Sequence, residues 1–454
     1  MKNMFSWYIT IFKLVGKSKQ AYQTNQSSFM AEFAHAKWRK LTNFTLSLPC
    51  IFLSGFLTVL LLFWAFFGSN QIFLGSCKCN QSEPAFDLQF DPPVTTFYDD
   101  PSFGYTIDKP IRNWDEKRKT WLNLHPSFEP KSHDRVFIVT GSRSTPCKSP
   151  TGDHYLLRFF RNKVDYCRLH GYDMFYNNVL LDPSMPACWA KIATVRAAMV
   201  AHPEAEWIWW LDEDAIFTDM EYKIPFHKYK DFNFVVHGWP KLVYEKKRWL
   251  GLNAGSFLIR NCQWSLDFLD SWADMGPRSQ NYEKWARVLL DVFKYESNDQ
   301  IALAYLFLKD HEESLEKKMF MENGYYLEGY WVTIVDTLQN VSERYLEFET
   351  RNGMLRRRHA EMVSERYGVL REALLKDAGN EFGTWRRPFV THFAGCQPCN
   401  GEHNPLFTGK GCMDAMNKAL NFADNQVLRN YGFVHRNLSD SSVVSPLPFD
   451  YPAL

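Results

Sequence analysis

Neither sign of charge is in surplus in this chain: 52 Lys and Arg face 51 Asp and Glu over 454 residues, for a formal net charge of +1. That balance excludes a nucleic-acid partner, which needs a basic field. There is no internal repeat and no low-complexity tract, which excludes a solenoid or a propeller. One stretch lacks charge altogether, since no Asp, Glu, Lys or Arg lies between Lys40 and Lys78. Inside that window Ile51 to Phe67 is almost wholly apolar. Extended back to Leu46, the run reaches the roughly 20 residues that a bilayer core requires. A cleaved signal peptide, whose apolar region would be shorter and nearer the start, and a buried core helix are the alternatives to an uncleaved anchor, which the 45 or so preceding residues favour.

The residues before this run carry Lys2, Lys13, Lys17, Lys19, Lys37, Arg39 and Lys40 against one acid, Glu32. Positive charge stays on the cytosolic side. The expected organisation is a cytosolic tail (1–45), a transmembrane signal anchor (46–68), a stem (69–130) and a luminal body (131–454). A luminal, oxidising setting predicts disulfides among Cys147, Cys167, Cys188, Cys262, Cys396, Cys399 and Cys412, with at least one left over because the set is odd. Cys77 and Cys79, just beyond the span, are placed to crosslink two chains. Asn80, Asn340 and Asn437 head candidate glycosylation sequons.

Apolar residues make up 46% of the chain and aromatics 16%, enough to bury a sizeable core. Exposed Trp and Tyr can stack on sugar rings, although most aromatics are core. The body opens on Arg135–Ser142, a β-branched run ending in Gly-Ser and so a buried strand followed by a loop. Helical spacing over 153–170, a strand at Tyr172–Asn177, a helix at Ala187–His202 and a strand at Glu206–Leu211 follow. Further strands are expected at Phe232–His237 and Ser256–Ile259. Strand and helix in alternation predict an α/β fold with a mostly parallel central sheet. Residues 341–376 read as an amphipathic helix or helix pair, a solvated cover over the core.

The chemistry concentrates at Trp207-Ile-Trp-Trp-Leu-Asp212-Glu213-Asp214. An apolar strand runs into two carboxylates at i and i+2, which leave an extended chain on the same side. They sit at the C-terminal end of a strand, where open α/β sheets bind ligands. Two hard oxygen ligands suit Mn²⁺ or Mg²⁺, which would neutralise the diphosphate of a nucleotide-sugar. A turn or helix cap is the plain alternative. A third ligand must come from elsewhere. His392, in the apolar run 388–393, is a candidate, and a packed core histidine is its alternative reading. Cys396-x-x-Cys399 could hold zinc, but disulfides fit the lumen better. Asn253-Ala-Gly255 either lines a sugar pocket by close backbone approach or makes a tight turn.

Longer stretches carry a family resemblance. They are Val139–Ser142, Asn162–His170, Trp207–Met220, Gly251–Asp267, Arg356–Glu361 and Thr391–Cys399. With these the chain resembles the plant family 34 glycosyltransferases, which include xyloglucan xylosyltransferases and galactomannan galactosyltransferases. The ending Ser445–Pro452 and the run Gly395–Pro405 resemble the galactomannan branch. The resemblance implies a GT-A nucleotide-sugar fold and a type II Golgi membrane enzyme of cell-wall hemicellulose synthesis. It implies UDP-galactose or UDP-xylose as donor, a polysaccharide acceptor, and homo- or hetero-oligomers with other Golgi glycosyltransferases. It further implies retaining transfer that forms α-1,6 branches on a β-1,4 backbone. Manganese would be bound by Asp212, Asp214 and His392, UDP would lie near Gly141 and Ser142, and Lys191 would be close to the donor. Asp299, Asn298 and Gln300 match a catalytic Asp-Asp-Gln. There Asp299 would stabilise an oxocarbenium ion or act as internal nucleophile. Two departures stand out: Glu213 replaces a serine, and Asn298 replaces an aspartate. A non-catalytic Golgi partner is the reading those two departures would support, and an N-cap is the structural one for Asn298.

Overall fold

The computed structural model describes residues 95–128, 135–313, 317–355, 360–377 and 386–448. The expected tail, anchor and first part of the stem, with Cys77, Cys79 and Asn80, lie outside these, as do residues 356–359. Among the described residues no helix is long and apolar enough to cross a membrane.

A six-stranded sheet organises the body. Its strands are β1 (Val136–Gly141), β2 (Asp173–Asn177), β3 (Trp207–Leu211), β5 (Phe234–Gly238), β6 (Leu252–Arg260) and β7 (Met319–Glu322), in the order β2-β1-β3-β6-β5-β7. Only β6 runs against the rest, so the sheet is mostly parallel, as the alternation of strand and helix predicts. A smaller sheet holds β4 (Ala215–Phe217), β9 (Val390–His392) and β8 (Gly329–Tyr330), in that spatial order. The helices are α1 (Trp114–Leu124), α2 (Pro150–His170), α3 (Ala190–Ala201), α4 (Gln263–Asp274), α5 (Tyr282–Phe293), α6 (Asp299–Glu313), α7 (Leu338–Arg351), α8 (Ser364–Asp377) and α9 (Gly409–Leu428).

Strand β3 shows why the central strands read as unbroken apolar runs. Both of its faces are covered: Ile208 and Trp210 enter one hydrophobic cluster, and Trp207, Trp209 and Leu211 the other. Truncating the fully buried Trp209 to Ala would cost about 3–5 kcal/mol. Helix α2 begins at Pro150 after Ser149, whose hydroxyl accepts from the Gly152 amide, and ends at Gly171 with φ +67°. Capping serine, first-turn proline and left-handed glycine together fix its length, so its C-terminus delivers the chain directly into β2.

The structure adds two things to the sequence reading. Residues 95–128, read as stem, pack onto the body. Trp114 is fully buried and donates its indole N–H to Asn261 Oδ1 at 2.8 Å. The segment 341–376 is a helix pair, α7 and α8, and its inner side is ionic as well as apolar. Glu221 is bound by Arg371 and, at 2.9 Å, by Arg387, while Glu349 meets Arg371 at 3.2 Å and Arg429 at 2.8 Å. These buried pairs pin α7 and α8 to α9 and to the segment after β4. Cysteines pair as Cys147–Cys399 and Cys396–Cys412, while Cys167, Cys188 and Cys262 are free. Both members of the Cys-x-x-Cys are therefore held in disulfides to other partners, which removes them as zinc ligands. Asn340 and Asn437 are exposed.

Candidate active site

Strand pairing assembles the site. Asp212 and Asp214 follow β3 at the C-terminal edge of the sheet. Strand β4 then pairs antiparallel with β9, opposing Ala215 and His392. The Phe393 amide donates to Asp214 O at 3.1 Å, which fixes the two segments to each other. One ligand atom from each of Asp212, Asp214 and His392 lies within 4.8 Å of the others. His392 Nε2 is 3.2 Å from Asp214 Oδ1 and 3.8 Å from Asp212 Oδ2.

Asp212 and His392 are each oriented by further groups. Asp212 Oδ1 accepts from the Trp210 indole at 2.7 Å and from Lys191 at 3.1 Å, which leaves Oδ2 turned toward His392. His392 Nδ1 meets Glu328 Oε1 at 3.1 Å, and Glu328 is buried. With Nδ1–H donating to that carboxylate, Nε2 is left as a lone pair facing the two aspartates, an arrangement recurrent in metal sites. Burial disfavours a charged imidazole, but Asp214 and Glu328 outweigh it and raise the pKa of His392 well above its ordinary value. Burial likewise works to raise Asp212, and Lys191 and His392 reverse it, holding the carboxyl below the usual range. The excess negative charge that draws a proton onto His392 is what a divalent cation would answer instead. Two carboxylate oxygens and one imidazole nitrogen fit Mn²⁺ better than an ion that seeks an all-oxygen cage.

Gly255 explains itself at this point. A Cβ there would lie 2.4 Å from His392 Cε1, so only glycine lets the imidazole settle against β6. Its carbonyl accepts the Asp212 amide at 2.7 Å, and its own amide donates to Asn253 Oδ1 at 2.6 Å. Asn253 and Gly255 thus shape the backbone beneath the metal ligands. Gly141 is as constrained, since a Cβ would meet Asn177 O at 2.3 Å.

Lys191 is buried, not solvated. It pairs with Asp212 and, at 3.0 Å, with Asp299 Oδ2, and it donates to Ala254 O at 3.1 Å. Burial would lower its pKa, but Asp212 and Asp299 raise it. Gln300 Oε1 accepts the Ala254 amide at 3.2 Å. Asn298 caps α6, its Oδ1 accepting from the Ile301 amide at 2.9 Å. Gly141, Ser142, Lys191, Asp212 and Asp214 line one cavity of about 470 Å³. Asn253, Gly255, Asn298, Asp299, Gln300 and His392 do not line it, but Asp299 pairs with the lining Lys191, and Gln300 reaches Lys191 through Ala254. A larger apolar cavity, about 700 Å³, holds none of these residues. Glu213 lines the same cavity and accepts from Tyr176 Oη at 2.8 Å, with burial raising its pKa to about 7.

Sequence reasoning missed Glu328 and Trp210. Nothing local marks Glu328, whose role exists only once β8 lies beside β9. Trp210 lay in plain view at i−2 from Asp212, where an indole N–H faces the carboxylate.

The model of the galactosyl transferase GMA12/MNN10 family matches residues 132–403, a span that contains every ligand described above. The chain belongs to glycosyltransferase family 34. Galactomannan galactosyltransferase 1 of Cyamopsis tetragonoloba is 54% identical over 89% of this chain and 96% of its own length. Glycosyltransferase 6 of Arabidopsis thaliana is 54% identical over 88% and 94%. Xyloglucan 6-xylosyltransferase 2 of the same plant is 42% identical over 76% and 68%. Among solved structures, the galactosyltransferase LgtC with donor and acceptor sugar analogues is 13% identical, covers 62% of this chain and 95% of its own, and gives a TM-score of 0.29. At that score the family assignment rests on the sequence matches. As a member of this family the chain is a glycosyltransferase that uses a nucleotide-sugar donor.

Proposed function

We propose that this enzyme moves galactose from UDP-galactose onto a β-1,4-mannan, with retention at the anomeric carbon, to form α-1,6 branches. The observation that carries the chemistry is the convergence of Asp212, Asp214 and His392 beside a cavity walled by Gly141, Ser142 and Lys191. The choice of galactose is supported by 54% identity to the galactomannan enzyme against 42% to the xyloglucan one. Xylose transfer to a glucan is the second reading, and that 42% relative is what favours it.

Mn²⁺ bound at the triad would supply Lewis-acid neutralisation of the departing diphosphate. The chain's own residues do the rest. Lys191 holds Asp212 and Asp299 in fixed positions and helps keep the Asp212 carboxyl below the usual range. Asp299, one contact from the cavity through Lys191, is the carboxylate placed to stabilise positive charge that develops at the sugar. Asn298 serves as an N-cap, a role Asp fills equally well, so its loss of charge does not argue for an inactive chain. We further propose residence in the Golgi membrane through residues 46–68, with the body luminal. Two disulfides suit that oxidising compartment.

The test is a donor-by-acceptor screen of the full-length protein. Labelled UDP-galactose and UDP-xylose are each offered with mannan and glucan oligomers, with and without Mn²⁺. Metal-dependent galactose transfer to mannan, lost in Asp214→Ala, is the expected result. Xylose transfer to glucan alone would replace the donor and acceptor, and transfer indifferent to metal would overturn the site.

A further inference from the structure

Most aromatic side chains of this protein are core, but Trp239, Tyr326 and Tyr330 are 45%, 42% and 40% exposed. All three stand on the sheet edge that carries the metal ligands. Trp239 directly follows β5 and donates its amide to Gly251 O at 2.7 Å, beside the strand that bears Asn253 and Gly255. The Tyr326 carbonyl accepts the Val390 amide at 3.0 Å, at the start of the strand that ends in His392. Tyr330 lies in register with His392 across the β8–β9 ladder. The buried His237 ring joins the group, with its centroid 4.9 Å from Trp239 and 6.1 Å from Tyr326. These rings are thus set by strand ends, and yet they remain in water, where large apolar side chains gathered in one place mark a binding surface.

We propose that Trp239, Tyr326 and Tyr330 form the platform on which the acceptor's β-1,4-linked backbone lies, an inference that rests on the functional reading above. A β-1,4-linked pyranose chain is a flat ribbon whose ring faces present C–H groups. The electron-rich face of an aromatic ring receives those C–H groups, while the ribbon's hydroxyls stay in solvent at its edges. Mannan and glucan share this shape, so the platform recognises the backbone and leaves the choice of transferred sugar to the donor cavity.

The experiment uses the full-length protein and its Trp239→Ala, Tyr326→Ala, Tyr330→Ala and Trp239→Phe variants. Michaelis constants are measured for short and long β-1,4 oligomers and, separately, for the nucleotide-sugar, with melting curves as a check on folding. Trp239→Ala is expected to raise the acceptor KM about tenfold, the effect of removing one well-seated aromatic anchor. The increase is larger for long oligomers than for short ones, the donor KM is unchanged, and Trp239→Phe restores most of the loss. Wild-type transfer with acceptor KM unchanged in all three alanine variants overturns the platform. So does a rise in donor KM in step with acceptor KM, or a change in oligomeric state without a change in KM. Absence of wild-type transfer to any β-1,4 oligomer strikes the functional reading itself, and the platform falls with it.

Discussion

Glu328 offers the sharpest test of how the metal site is held. It is not one of the three ligands, and it reaches the site through the 3.1 Å bond to His392 Nδ1. Glu328→Gln keeps the shape and an acceptor oxygen but removes the charge. A hydrogen bond to a charged partner contributes about 1.5–3 kcal/mol and a neutral one about 0.5–1.5. The difference of about 1–1.5 kcal/mol corresponds to a loss of roughly tenfold in metal affinity. Glu328→Leu removes the bond altogether, frees the imidazole to take the other tautomer, and should reach roughly a hundredfold. The assay is calorimetric titration of Mn²⁺ into the protein saturated with UDP. His392→Ala and Asp214→Ala set the floor, and a melting curve shows that each variant is folded. Folded variants at Glu328 that bind Mn²⁺ as tightly as the wild type, while His392→Ala does not, would refute the reasoning.

Three further outcomes follow from the geometry. Gly255→Ala places a methyl 2.4 Å from His392 Cε1, so thermal melts should show a loss of about 1–3 kcal/mol and Mn²⁺ titration a weaker site. Lys191→Met leaves Asp212 and Asp299 buried without their shared cation. Denaturant titration should show about 3–5 kcal/mol of lost stability, and turnover should fall at least roughly a hundredfold. Glu221 tests the ionic clamp. Burial raises its pKa, but Arg371 and Arg387 bring it from 4.5 down to about 2. A folded-state pKa below the unfolded one gives stability that is full above pH 4.5 and disappears as pH falls toward 2, roughly 3 kcal/mol in all. The stability gap between wild type and Glu221→Gln, measured by urea titration, should therefore close between those two pH values.

The frame of this fold was open to view in the sequence because each central strand is apolar on both faces. Trp207–Leu211 could hardly be anything but a buried strand, and β1 and α2 carried their own boundary signals in Gly141, Ser149 and Gly171. The positions of Asp212 and Asp214 followed from that strand. His392 did not, since its neighbours in the chain read as core, and the family resemblance supplied it. Glu328 and the burial of Lys191 were out of reach for a different reason. A charged residue in an isolated stretch reads as solvated, and only the tertiary partner reverses that. The charges of 341–376 misled in the same way: Glu349 and Arg371 belong to a buried cluster that no periodicity within one helix could disclose. Cysteine pairing was equally beyond spacing, because Cys147 and Cys399 are 252 residues apart.

The pairing of β4 with β9 carries a consequence for biogenesis. While the ribosome is making residues 323–391, every strand of the larger sheet and both aspartates have been synthesised, but the imidazole that completes the trio has not. A nascent chain at that stage has the scaffold of a transferase without the means to grip a cation. Competence then arrives late, when β9 pairs with β4 and brings His392 to the two aspartates. An incomplete chain is thus silent by construction, however well its larger sheet has formed.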